Sequence, residues 1–468
     1  MSSAVRRRIG ALLDVGSGFE ELRPGFGRDA VAGLGSVGGR RVALWTNDPE
    51  VSAGSLSAEG MEKVSELYER AAKEGVPVVY LADSAGAKLQ EGALSLNGVA
   101  RAYSSMARAS SKVPMVSAVV GASVGGSAFM VASSDVVIGN AAAGYLFVSG
   151  PASARRFRGL TVGVRELGGV EVLWRKGAFD LVRPDEAGAV AAVREVLGYL
   201  PQNTTEMPPI AEARDAEGEA PDRLPDSDAG YDVRALIRSV VDGGSFLEFG
   251  EGCCENAVVG LARVRGRPVG VVANQPSVKM GAIDVGAALK MARFVSVCDK
   301  NNLPVITFVD TVGFEPGPDQ EHSNLPRHGA KLLHAYSTSS VPKVTVLLRR
   351  AYAGGFVSMC SKGLGADHVV ALPESEVMVQ EPRLAAEIVR RRELEAAPPE
   401  RREELLGSFA AELKSGFAGG ERLLGAGVVD EVVEPGELRD AVWRALEPLL
   451  EAYAARLNSI VKRPLFPV

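Results

Sequence analysis

Cysteine and histidine are scarce in this chain, four of each among 468 residues. Cys253, Cys254, Cys298 and Cys360 form no Cys-x-x-Cys pair, and two of them are neighbours. A disulfide framework is therefore excluded, and the thiols are expected to be reduced and mostly buried. His322, His328, His334 and His368 show none of the ligand spacings of a zinc site. Positive charge is also short: 52 lysines and arginines face 58 aspartates and glutamates, a formal net charge of −6, with no basic stripe interleaved with aromatics. A nucleic-acid surface needs such a stripe to neutralise phosphates, so that class of function is excluded. The start MSSAVRRRIGALLDVG has arginines but only a short apolar segment broken by Gly10 and Asp14, which makes no secretory signal. A cytoplasmic protein is expected.

One uncharged run stands out. Residues 113–134, VPMVSAVVGASVGGSAFMVASS, are long enough for a membrane helix. They also hold five serines, three glycines and a proline, with β-branched residues first and small residues last. That order predicts a buried strand from Pro114 to Val120, a turn over Gly121 to Gly126 and a helix from Ser127 onward. Paired glycines at such a turn present N–H groups at a helix start, where they can hold an anion or an oxygen becoming one. They can equally serve close packing, and Gly38-Gly39, Gly168-Gly169, Gly243-Gly244 and Gly419-Gly420 show how common the dipeptide is.

Duplication distinguishes this pair from the others. At this length more than one core is expected, and the two halves of the chain align. VALWTNDPEVSAGSLSAEGMEKVSELYERAAKEGVPVVYLADSAG in the first half matches VGVVANQPSVKMGAIDVGAALKMARFVSVCDKNNLPVITFVDTVG in the second without a gap. Asn47 falls on Asn274, Gly54 on Gly281, Pro77 on Pro304, Asp83 on Asp310 and Gly86 on Gly313, all 227 residues apart. Each copy reads as strand, loop, amphipathic helix and buried strand, with Met61, Val64, Leu67, Tyr68 and Ala71 at helical spacing in the first. Each then runs through a further helix and a Val-Pro to another buried strand and a glycine turn, Gly125 and Gly126 in one half and Gly354 and Gly355 in the other. A packing glycine need not recur at one topological point, whereas two oxygens needing stabilisation require two such turns. Residues 202–230, polar, acidic and rich in proline, read as a surface linker, dividing the chain into domains 1–230 and 231–468. Residues 384–415 and 437–459 read as charged helices that could cover a neighbouring subunit.

The second half carries NQP, GAID, FVDTVGFEPGPDQEH, GAKLLHAYS, VPKVTVLLRRAYAGGF and SKGLGADHVVALP; the first carries GSVGGRRVALW, GSLSAEGMEKV, LADSAGAKLQEG and ELGG. This order resembles the carboxyltransferase (beta) subunits of biotin-dependent acyl-CoA carboxylases, from about Arg7 to Pro435. The resemblance implies an α/β protein of two tandem crotonase-like domains, with active sites where one subunit's first domain faces another's second, in homo-oligomers from dimer to hexamer. It implies transfer of CO2 from carboxybiotin, carried by a biotin carboxylase and biotin carboxyl carrier partner, to the α-carbon of an acyl-CoA. Two oxyanions form in that reaction, and the resemblance assigns Gly125 and Gly126 to the thioester oxygen and Gly354 and Gly355 to the biotin ureido oxygen, or the reverse. Ser84, Ala85, Gly86, Ala87 and Lys88 would open a helix near the CoA phosphates, or simply cap that helix.

Some positions differ from the family pattern. Ala85 to Lys88 replace Gly-Gly-Ala-Arg, and Val357 stands where propionyl-CoA-preferring members often have an aspartate, which suggests a different acyl group. The segments VEVLWRKGAFDLV, ASARRFRGLT and VMVQEPRLA also depart from it. Two alternatives follow: a biotin-independent decarboxylase or acyl-transfer enzyme acting on a CoA or acyl-carrier thioester, and a non-catalytic subunit of a carboxylase complex.

Overall fold

The computed structural model describes residues 1–225, 229–417 and 419–465. Its first sheet contains β1 (Glu20–Glu21), β2 (Ala30–Val37), β3 (Arg40–Asn47), β4 (Val78–Ser84), β5 (Met115–Val124), β6 (Val136–Asn140), β7 (Tyr145–Phe147) and β8 (Leu181–Arg183). The second contains β9 (Leu247–Phe249), β10 (Ala257–Val264), β11 (Arg267–Asn274), β12 (Val305–Thr311), β13 (Lys343–Tyr352), β14 (His368–Ala371), β15 (Glu376–Met378) and β16 (Glu431–Val432). The spatial orders are β1-β2-β3-β4-β5-β6-β8 and β16-β14-β13-β12-β11-β10-β9, with β7 beside β5 and β15 beside β13. In each sheet two antiparallel pairings lead into parallel strands. Both sheets have the same β-β-α architecture.

The parallel strands are buried because helices cover them. Helix Ala58–Glu74 turns Met61, Val64, Leu67, Tyr68 and Ala71 inward, all buried, and each large apolar side chain so placed contributes about 1.5–3 kcal/mol. Ser57 caps its start by accepting the Gly60 N–H at 2.9 Å, and Gly75, at φ 65°, ends it. In the second half Asp284 caps Val285–Lys300 through the Ala287 N–H at 2.8 Å. That helix also reaches into the first half. Lys300 Nζ lies 2.5 and 2.7 Å from the two carboxylate oxygens of Asp135, with both side chains buried, and Arg293 bonds Asp180 at 2.8 Å.

The uncharged run proves to be strand and short helix, β5 followed by Gly126–Ala132, and among the described residues no helix is long and apolar enough to cross a membrane. The strand runs four residues further than the sequence suggests, through Gly121 to Val124, and the turn shrinks to Gly125. A Cβ on Gly121 would lie 2.3 Å from Asp83 Oδ1, and the same oxygen accepts the Ala122 N–H at 3.1 Å. Gly121 thus makes room for a carboxylate inside the strand, where the register between β4 and β5 shifts. The linker is largely exposed and fastened at points: the Ala211 N–H donates to Gly266 O at 3.0 Å and Arg349 Nη1 donates to Pro225 O at 2.7 Å. The charged tail forms helices Pro382–Val389, Arg391–Ala396, Pro399–Phe417 and Leu438–Arg456.

Candidate active site

The repeat is reproduced at the level of single bonds. Asn47 Nδ2 donates to Gly54 O and Asn274 Nδ2 to Gly281 O, both at 3.2 Å. Gly54 and Gly281 have φ of 68° and 72°, and a Cβ on either would lie 2.2 Å from the carbonyl oxygen of Asp83 or Asp310. Only glycine meets both demands there. The Gly86 N–H donates to Ser84 Oγ and the Gly313 N–H to Thr311 Oγ1, each at 3.1 Å.

At the end of β5 the chain reverses through Gly125, at φ 58° and ψ −119°. The Gly125 N–H is engaged, donating to Phe147 O at 3.0 Å and prolonging the β5/β7 ladder. The following amide, Gly126, opens helix Gly126–Ala132 and has no acceptor among the described residues. A Cβ on Gly125 would meet no atom within 4 Å, so the outer side of the turn is open; one on Gly126 would lie 2.5 Å from Val99 Cγ1. Beneath the turn runs a buried polar chain that the sequence did not reveal. Ser127 Oγ lies 2.9 Å from Ser123 Oγ and 2.7 Å from the Tyr80 hydroxyl, which donates to Asn47 Oδ1 at 2.8 Å. Trp45 stacks on Tyr80 with ring centroids 3.6 Å apart. Burial pushes the Tyr80 phenol up, and it stays a neutral donor.

In the second half β13 leads through Ala353, at φ 49°, into helix Ala353–Ser358. β5 and β13 match over ten residues at an offset of 228, which places Ala353 on Gly125 and Gly354 on Gly126. The glycine pairs are therefore displaced by one position from a Gly-Gly on Gly-Gly alignment, because an alanine accepts the left-handed residue here. Gly354 is exposed. Gly355, the counterpart of Ser127, is buried, and a Cβ there would lie 2.8 Å from Thr311 Cγ2 and 2.9 Å from Gly313 Cα. Gly354 and Ala353 line an open cavity of ≈ 760 Å³ with Phe314, Lys279, Met280 and Leu384. Val357 is 42% exposed and lies outside that lining.

Ser84 to Lys88 lie beside the first turn, since a Cβ on Gly86 would be 3.2 Å from Val124 O. The segment opens a short 3-10 helix, Leu89–Glu91, and most of its amides are engaged. Ala85 N donates to Ala53 O at 3.2 Å, Gly86 N to Ser84 Oγ, and Lys88 N to Leu56 O at 3.1 Å, while the Ala87 N–H has no acceptor among the described residues. Ser84 is fully buried, and the Lys88 ammonium pairs with Glu91 at 3.0 Å, which raises its pKa. The groups that remain to meet a ligand at this segment are the Ala87 N–H and the half-exposed Lys88 ammonium.

A carboxylate braces each turn. Asp83 bonds Arg8 at 2.8 Å, and Arg8 also bonds Glu186 at 3.0 Å. Asp310 bonds Arg349 at 2.7 Å and Arg350 at 3.0 Å, with all three side chains buried. Around both turns large apolar side chains stand in the open: Leu89, Leu94, Leu96 and Phe129 in the first half, Val379 and Leu384 in the second. The first turn offers a backbone donor with Lys88 on the adjoining segment, and the second a backbone donor on the wall of an open cavity. Among the described residues no group of three or more metal-ligating side chains comes together.

The family described as the carboxyl transferase domain matches residues 2–460. The propionyl-CoA carboxylase carboxyltransferase subunit of Haloferax mediterranei is 40% identical over 441 residues, covering 92% of this chain and 84% of that one. A biotin-dependent acetyl-/propionyl-coenzyme A carboxylase beta5 subunit of Mycobacterium tuberculosis is 35% identical over 486 residues, covering 97% and 87%. A crystal structure of the transcarboxylase 12S hexamer, with methylmalonyl-coenzyme A and methylmalonic acid bound, superposes with a TM-score of 0.89 at 35% identity, covering 95% of this chain and 89% of that one.

Proposed function

The chain belongs to the carboxyl transferase family, and from that premise we propose that two first-turn helix amides, Gly126 and Gly354, are the paired oxyanion donors of a carboxyl transfer onto an acyl-CoA. The protein is a biotin-dependent acyl-CoA carboxyltransferase subunit. The observation that carries the assignment of donors is their equivalence. Each follows a residue of positive φ at the end of corresponding strands, beside corresponding glycine-bearing loops, and is braced by corresponding aspartates, Asp83 and Asp310.

Gly126, with Gly125 shaping the turn, is assigned to the thioester oxygen, because Ser84 to Lys88 adjoin it and Lys88 suits a CoA phosphate. Gly354, with Gly355 packed beneath it, is assigned to the ureido oxygen of biotin. The residues present fit that group: the ≈ 760 Å³ cavity has the size of a ligand pocket, and the exposed Gly354 on its wall has no side chain to block approach to its amide. Carboxybiotin, when bound, supplies the carboxyl group. The chain's own part is to orient, to exclude water and to hold developing negative charge with dipoles fixed before the reaction. Val357, beside the turn, is assigned to the acyl pocket.

The exposed apolar residues around both turns support a site completed by a second copy, first half against second half, in an oligomer of dimer to hexamer. The partner would be a biotin carboxylase with its carrier protein, and the setting cytoplasmic. Two sheets, each with its own braced turn, support a division into domains 1–230 and 231–468. The test is incubation of the purified protein with a series of malonyl-type CoA thioesters that differ in the acyl chain, methylmalonyl-CoA among them, with and without free biotin. Decarboxylation that depends on biotin and falls with loss of either amide supports the reading. Biotin-independent decarboxylation at the same rate refutes it.

A further inference from the structure

Between β9 and β10 the chain curls through Gly250, Gly252 and Cys254, with φ of 64°, 80° and 50°. The curl sets two thiols side by side, Cys253 Sγ 3.3 Å from Cys254 Sγ. Both line a small cavity of ≈ 190 Å³ where the two halves meet, together with Lys176, Asp180, Lys290 and Arg293. Cys253 is buried and Cys254 half-buried, so a small polar reagent can approach through the latter. Lys290 is fixed beside them: its ammonium donates to Gly250 O at 3.0 Å, Cys253 O at 2.9 Å and Ala257 O at 2.8 Å.

That environment favours one thiolate. The hydrogen bond between the two sulfurs, with Lys290 and Lys176, holds the Cys253 thiol down to about 7 against the opposing effects of burial and the Asp284 carboxylate. The same hydrogen bond and burial raise the Cys254 thiol. Cys298 and Cys360 are fully buried thiols pushed up chiefly by desolvation. A nucleophilic thiolate with a protonated thiol in contact is the arrangement of a peroxide-reacting and a resolving cysteine.

We propose that Cys253 and Cys254 are a peroxide-reactive dithiol that closes reversibly to a disulfide between neighbours, a modification site separate from the glycine turns. The Cys253 thiolate attacks one oxygen of hydrogen peroxide, the O–O bond breaks, and a sulfenic acid and hydroxide form. The Cys254 sulfur then attacks the sulfenic sulfur, its proton neutralises the hydroxide, and the sulfenic oxygen leaves with a proton from solvent as water. Two thiols and one peroxide give one disulfide and two waters, with sulfur oxidised and peroxide reduced. A dithiol reductant reverses the closure.

The test uses the full chain at neutral pH, exposed to hydrogen peroxide and mapped by non-reducing peptide mass spectrometry. The expected result is a Cys253–Cys254 peptide lighter by two hydrogens, restored by dithiothreitol. Cys254→Ser should instead stop at a sulfenic acid on Cys253 that dimedone traps, and Cys253→Ser should react roughly tenfold more slowly, as its remaining thiol is little ionised. Overturning results are a wild-type pair that stays reduced while another cysteine oxidises, over-oxidation of Cys253 without closure, or equal reactivity of Cys253→Ser and wild type.

Discussion

The donor role of Gly126 can be separated from its packing. A side chain at this position would drive Cβ to 2.5 Å from Val99 Cγ1, so any single replacement confounds loss of the amide with a steric clash. Val99→Ala removes the obstructing methyls at a cost of about 1 kcal/mol for this half-buried side chain. In that background Gly126→Ala keeps the N–H and Gly126→Pro deletes it. Proline is tolerated at the first position of a helix, and Gly125 has no Cβ for its ring to strike. The two double variants should therefore fold alike, with melting temperatures close to each other. An oxyanion donor contributes roughly 2.7–4 kcal/mol to the transition state, so the proline variant should lose about 100- to 1,000-fold in kcat relative to the alanine variant. The assay is biotin-dependent conversion of methylmalonyl-CoA to propionyl-CoA, followed by mass spectrometry at saturating thioester. Equal kcat for the alanine and proline variants, both folded, would refute the donor assignment whatever the activity of Val99→Ala alone.

Tyr80→Phe removes the hydroxyl that links Asn47 to Ser127 and should cost about 1–3 kcal/mol in urea unfolding, with a drop in kcat larger than any change in KM because the adjacent Gly126 amide loses its anchor. Gly54→Ala and Gly281→Ala place a side chain in a left-handed position against a carbonyl, so each should lower stability by at least about 2 kcal/mol; a neutral effect on chemical denaturation would contradict the φ and contact geometry. Lys300→Met leaves Asp135 buried without its cation and should destabilise by about 3–5 kcal/mol, and Lys300→Met with Asp135→Asn should recover much of that, since the amide oxygen can still accept the Met115 N–H. The pH dependence of the same ion pair has a definite sign. Burial lowers the Lys300 pKa, so the unfolded chain holds a proton that the folded chain releases earlier, and this residue's contribution to stability should rise with pH between its folded value and the ordinary lysine value near 10.5; Lys300→Met should flatten that rise in the thermal midpoint.

The parts of this fold that were legible in the sequence depend on local chemistry repeated at a fixed distance. Asn47, Gly54, Asp83 and Gly86 announce themselves because their counterparts stand 227 residues later, and the helix between them shows its buried face in its spacing. What was not legible is the pairing of groups distant in the chain. Gly121 reads as a turn, yet it stays in the strand because the Asp83 carboxylate occupies the space its side chain would need. The corresponding position of β13 is Arg349, a residue that no turn rule would align with glycine. Both answer the same demand, a buried aspartate to be neutralised. In the second half the cation comes from the neighbouring strand; in the first the strand vacates the site and Arg8 arrives from the helix Ser3–Leu12. If Asp83 and Asp310 do equivalent work, Arg8→Met should injure the first turn as Arg349→Met injures the second. Both should then lower kcat without removing any donor. Because a lone buried carboxylate is costly, Arg8→Met with Asp83→Asn should restore part of what Arg8→Met loses. A double variant worse than either single one, in both stability and kcat, would show that Asp83 serves the turn through its contacts with Ala122 and Asn47 and that Arg8 merely accompanies it.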